Sequence, residues 1–97
     1  MQTIDNIKKA VIPIAKDYGL KRVYLFGSYA KGTATEESDV DLMIEKGDKR
    51  FTLLSLSGFR LDAIDALDIP VDVIIKGKDR TEFQNRIKES EILLYEQ

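Results

Sequence analysis

Apolar residues recur along this 97-residue chain in blocks whose period changes repeatedly between that of a helix and that of a strand. Ile4, Ile7, Val11, Ile14 and Tyr18 stand at helical spacing, and Gly19 is placed to cap the helix's C-terminus. Pro13 interrupts this run, which predicts a kink or the start of a second short helix. Residues 21–26, Lys-Arg-Val-Tyr-Leu-Phe, read as a strand that ends at Gly27. The glycine-bounded stretch 27–32 suits a tight turn into a brief helix, and residues 33–38 form a polar loop. A second strand follows over 40–45 and ends at Gly47-Asp48. Leu53, Leu56, Phe59, Ala63 and Leu67 predict a helix over 51–67, weakened by Gly58. Pro70 introduces a third strand over 71–75, ended by Gly77. Phe83, Ile87, Leu93 and Leu94 predict a closing helix. Three strands with intervening helices imply an α/β class, with helices covering a small sheet. The pattern leaves parallel and mixed sheets open.

Composition narrows the chemistry. The length suits one domain, residues 1–97, with one core and a shallow site at its edge. No apolar run is long enough to span a bilayer, and the first residues do not resemble a secretory signal; a cytoplasmic location is the expectation. There is no cysteine and no histidine. Thiolate zinc sites and cysteine nucleophiles are thereby excluded, and a base acting near neutral pH must be a carboxylate, lysine or tyrosine. Metal ligands must be oxygen donors, which favours magnesium, manganese or calcium. A net charge of −2 speaks against strong binding of a nucleic-acid backbone.

Three aspartates stand where the strand pattern would place apolar residues: Asp39, Asp41 and Asp72. Strand side chains alternate, so Asp39 and Asp41 project to one face, roughly 7 Å apart along the chain. Two such carboxylates repel each other, and a shared divalent cation removes the repulsion. Metals about 3.5–4 Å apart are a common solution for in-line phosphoryl transfer. Each residue also has an ordinary reading. Asp39 after Ser38 suits an Asx turn, and Asp72 suits the surface of an edge strand. Gly27-Ser28, after a strand and before a helix, would let backbone N–H groups approach a phosphate, and Lys31 would reach the same anion. Taken alone, that element is also an ordinary turn.

Read together, the segments are more specific. Leu25-Phe26-Gly27-Ser28-Tyr29-Ala30-Lys31-Gly32 precedes Ser38-Asp39-Val40-Asp41-Leu42, with ten residues between Ser28 and Asp39, and Asp72 follows within Pro70-Val71-Asp72-Val73. This resembles the signature of the DNA polymerase beta nucleotidyltransferase superfamily, in its minimal form and over essentially the whole chain. The resemblance implies a small mixed sheet of three or slightly more strands covered by helices. It implies attack of a hydroxyl on the α-phosphorus of a nucleoside triphosphate, with ATP as substrate and two Mg2+ ions (or Mn2+) as cofactors. Asp39, Asp41 and Asp72 would be the catalytic metal ligands, and Gly27, Ser28, Lys31 and Ser38 the nucleotide-binding residues. The chain is similar to the antitoxin half of toxin–antitoxin pairs whose partner is a helical, RNA-cleaving HEPN toxin. That likeness implies AMP transfer to a tyrosine of the toxin, within a hetero-oligomer. The alternative is an antitoxin that neutralises by binding, with little or no catalysis. Lys31 and Tyr29 depart from the arginines that are common at these two positions, which lowers the positive charge near the phosphates. A small-molecule-modifying enzyme ranks behind, because such proteins carry an added helical domain for the acceptor.

The remaining features read as structural. Asp62, Asp65 and Asp68 suggest a solvated helix face. Lys76, Lys78 and Arg80 suggest loop charges after the third strand. Ile92, Leu93 and Leu94 on the closing helix would pack on the sheet, with an interface as the alternative.

Overall fold

The computed structural model describes residues 2–76 and 91–97. Helix α1 (Ile4–Asp17) begins at Thr3, whose hydroxyl accepts from the Asn6 N–H at 3.1 Å. It buries Ile7, Val11 and Ala15, one turn apart. The predicted break at Pro13 does not occur, and the helix runs through it. The forfeited hydrogen bond would have reached Lys9, and both residues are exposed, so water can serve the free carbonyl. The helix ends as expected at Gly19. That residue has φ +65, and the Leu20 N–H donates back to the Ala15 carbonyl at 3.1 Å, closing a Schellman-type cap.

Strands β1 (Arg22–Phe26) and β2 (Val40–Glu45) flank the short helix α2 (Gly27–Lys31). Helix α3 (Leu53–Leu67) opens on a reciprocal Thr52/Ser55 capping box. Strands β3 (Val71–Ile75) and β4 (Ile92–Glu96) complete a four-stranded sheet of order β3-β2-β1-β4. β1 is antiparallel to both β2 and β4, whereas β2 and β3 are parallel, so the sheet is mixed. β4 corrects the predicted closing helix over the residues that are described; Phe83 and Ile87 lie outside them. Leu93 is exposed and Leu94 buried, the alternation of a strand. The run Ile92-Leu93-Leu94-Tyr95 is too short for its period to be read, and pairing with the open edge of β1 decides its form.

Val23 and Leu25 of β1, Val40, Leu42 and Ile44 of β2 and Val71 of β3 meet Ile7, Val11, Ala15, Phe59, Ala63 and Leu67 of the helices in one core. Alternation sends Asp41, Met43 and Glu45 to the opposite face of the sheet. There Arg22 donates to Glu45 at 2.9 Å and to Glu96 at 2.6 Å, tying β1 to both neighbours. Gly58, which weakened the helix prediction, has a packing reason. A Cβ there would lie 2.5 Å from the Tyr18 hydroxyl, which donates to Asp62 as α1 crosses α3. Asp62 and Asp65 are exposed on α3, and Asp68 is its left-handed C-cap at φ +57.

Candidate active site

β2 is the central support of the acidic residues. Asp41 is its second residue, registered against Phe26 of β1 on one side and Asp72 of β3 on the other. In a parallel pair, residues in register project to the same face, so Asp41 and Asp72 stand side by side, away from the helices. Asp39 lies one residue before β2 and is exposed. Asp41 is half-buried. Burial pushes its carboxyl above the ordinary range, and the charges of Asp72 and then Asp39 push it further in the same direction. All three aspartates therefore share one electrostatic neighbourhood. β3 is also an edge strand and Asp72 is exposed, as the ordinary reading of that residue expects.

The end of β1 meets this neighbourhood directly. Gly27 has φ +74, and a Cβ built on it would lie 2.3 Å from Asp41 Oδ2. Glycine is required twice here: for the left-handed backbone and for the approach of the chain to the carboxylate. Ser28 follows, its carbonyl accepting from the Thr33 N–H at 3.0 Å and lying 3.5 Å from the Thr33 hydroxyl. Tyr29 is buried and anchors α2 in the core, while Lys31 is exposed. Ser38 stands in a hydrogen-bonded knot before Asp39. Its hydroxyl accepts from the Thr35 N–H at 2.8 Å, and its own N–H donates to the Thr35 carbonyl at 3.0 Å. Thr33 and Thr35 were not singled out in the sequence; threonine after a glycine cap was the available signal.

No lysine or arginine among the described residues forms an ion pair with Asp39, Asp41 or Asp72. Nor are three acidic side chains closed into a metal-holding cluster among those residues. Uncompensated carboxylates repel one another, and drawing them together requires a cation between them. An oxygen-only donor set with no internal counter-charge fits Mg2+ or Mn2+. Lys76 reaches elsewhere, its ammonium 5.4 Å from the centre of the Tyr24 ring; Lys78 and Arg80 lie outside the described residues. No helix among the described residues is long and apolar enough to cross a membrane.

Comparison with known proteins places this geometry in context. Residues 9–97 match the family described as Polymerase beta, Nucleotidyltransferase. A protein of Methanocaldococcus jannaschii with the provisional name of protein adenylyltransferase is 34% identical over 84 residues, which is 87% of this chain and 89% of that one. A solved structure described provisionally as a minimal nucleotidyltransferase superposes with a TM-score of 0.79 at 26% identity, covering 94% of this chain and 95% of its own. The fold is also shared with a chain of a toxin–antitoxin complex with AMP-PNP, at a TM-score of 0.78 and 23% identity, over 93% of this chain and 73% of that one.

Proposed function

The chain belongs to the polymerase beta nucleotidyltransferase family, and on that premise we propose that it transfers AMP from ATP to a protein hydroxyl. The observation that carries the proposal is the contact of the Gly27 backbone with the Asp41 carboxylate, beside Asp72 in register on β3. This arrangement sets the first turn of α2, whose leading N–H groups have no partner within a helix, against neighbouring carboxylates, and these would be the two halves of a nucleotide–metal site.

Asp39, Asp41 and Asp72 would hold the divalent ions, and Gly27 and Ser28 would receive the terminal phosphates. When bound, Mg2+ supplies neutralisation of the phosphate charge and a lower pKa for the attacking hydroxyl. Asp72, exposed at the sheet's edge, would accept the acceptor's proton from outside the fold. Lys31 adds positive charge one turn beyond Ser28. Ser38 contributes by fixing the loop that presents Asp39 and, through its hydroxyl, by contact with the nucleotide.

The names of relatives and neighbours, a protein adenylyltransferase, a toxin–antitoxin complex with AMP-PNP and an AMPylated HEPN toxin with its MNT antitoxin, support AMP transfer to a partner protein; the finer reading is a cytoplasmic antitoxin that modifies a tyrosine of a HEPN-class toxin. A small site at the edge of one sheet leaves much of the acceptor's pocket to the acceptor, which suits a folded protein as substrate. The test mixes the chain with ATP, Mg2+ and the protein encoded beside it, and weighs that protein by mass spectrometry. An AMP-sized gain, repeated or single, is expected, and Asp39→Asn/Asp41→Asn should abolish it. Neutralisation that survives this double change with no mass gain would replace catalysis by simple binding.

A further inference from the structure

Asp72 stands at the exposed start of an edge strand, the part of a sheet with fewest backbone partners. β3 opens at Val71, directly after Pro70, which has no N–H to tie the strand's entry. The Pro70 carbonyl accepts from the Val40 N–H at 3.0 Å, and the Lys76 N–H donates to the Ile44 carbonyl at 2.8 Å. Backbone groups alternate in direction along a strand, so those of the even-numbered residues of β3 face β2. The Val71 carbonyl therefore points out of the sheet, along its open edge. Such a group is ordinarily left to water or to another chain. Here the Nε–H of Arg60, on α3, donates to it at 2.9 Å in a part-buried contact.

The peptide unit between Val71 and Asp72 is thus gripped from both sides: Arg60 holds its C=O, and its N–H faces β2. A peptide unit is planar, so holding it at both edges sets the direction in which the Asp72 side chain leaves the strand. We propose that Arg60 is a positioning residue for Asp72. By holding the Val71 carbonyl at the open edge of β3, it keeps the Asp72 carboxylate in register with Asp41. The inference rests on the reading of Asp72 as a metal ligand, and it adds to that site a residue from a helix on the other face of the sheet. The role belongs to the Nε–H rather than to the charge, since Arg60 forms no ion pair among the described residues. Groups that orient a metal ligand from behind typically contribute roughly 10–100-fold in metal affinity or activity.

Two substitutions separate the hydrogen bond from the bulk of the side chain. Methionine ends in a methyl carbon as many bonds from Cα as the arginine Nε, and glutamine carries an amide nitrogen at the same distance along the chain. Arg60→Met therefore removes the donor, and Arg60→Gln returns it without the charge. Mn2+ affinity of the full chain is read by electron paramagnetic resonance, well below each variant's melting transition. It should fall about tenfold in Arg60→Met and return to within about twofold of the parent in Arg60→Gln. AMP transfer should follow the same order. In an Asp72→Asn background, Arg60→Met should add no further loss of Mn2+ affinity, because its effect passes through the same carboxylate. A further loss there, or Arg60→Gln behaving like Arg60→Met, overturns the proposal. Asp72→Asn on its own separates the two levels of the argument. If it weakens Mn2+ binding while Arg60→Met does not, the positioning role alone fails. If Asp72→Asn binds Mn2+ as the parent does, the metal reading of Asp72 fails and takes this role with it.

Discussion

Gly27→Ala offers the sharpest test of the site, because Gly32→Ala is its natural control. Both glycines have left-handed backbones, with φ +74 and φ +76. That conformation costs an L-residue roughly 1–2 kcal/mol, and the stiffer unfolded chain of an alanine variant returns roughly 0.4–1 kcal/mol. Each variant should therefore lose about 1 kcal/mol, or about 4–8 °C in Tm for a domain of this size. The surroundings differ. A Cβ at Gly32 meets nothing within 4 Å, whereas one at Gly27 lies 2.3 Å from Asp41 Oδ2 and 3.2 Å from its Cγ. The Asp41 carboxylate must swing aside to admit the methyl group. A rotating side chain adds little to the loss of stability but moves a proposed metal ligand. A displacement of about 1 Å in such a group can cost on the order of 100-fold in rate. Circular dichroism melts should thus show similar Tm losses, while AMP transfer followed by mass spectrometry falls sharply for Gly27→Ala only. Mg2+ with ATP should raise the Tm of the parent and of Gly32→Ala, but not of Gly27→Ala. Equal activity in the two variants would refute the assignment of Gly27 and Asp41 to one site.

Asp41 also predicts a pH effect. Its folded pKa is raised, so the fold favours the protonated form and metal-free stability declines as pH rises from the carboxylate range through that raised value. Asp41→Asn should flatten this dependence in urea melts with EDTA and raise stability at pH 7; an unchanged pH profile would remove the electrostatic argument. Asp72→Asn should lose the Mg2+-dependent rise in Tm while keeping the parent's Tm in EDTA to within a few degrees. Phe59, fully buried on the core face of α3, should cost roughly 3–5 kcal/mol on conversion to alanine, measured by urea denaturation. Arg60→Ala should cost about 1 kcal/mol by the same measure. Its Nε donates at 2.9 Å to the Val71 carbonyl on the outer edge of β3, just before Asp72.

Local pattern determined a large part of this molecule. The bounds of β2 and the short helix at residues 27–31 follow from periods of two and 3.6 and from glycine placement; Asp41 stands within β2 and Asp39 one residue before it. Those signals act over a few residues, so they survive without knowledge of the rest of the chain. The resemblance to the polymerase beta nucleotidyltransferases rested on the same short segments and holds for the family and the fold. Tertiary structure decided what depends on distant residues meeting. Whether Asp72 faces Asp41 is a matter of parallel register between strands about thirty residues apart, and no local period encodes register. The contact of Gly27 with Asp41 and the room Gly58 leaves for Tyr18 are likewise contacts between separate elements. At β4, four adjacent apolar residues suited a helix or a strand equally, and the unpaired hydrogen-bonding edge of β1 made the choice. At Pro13 the helix persists because the lost bond faces water while the buried side, Ile7, Val11 and Ala15, holds the segment to the sheet.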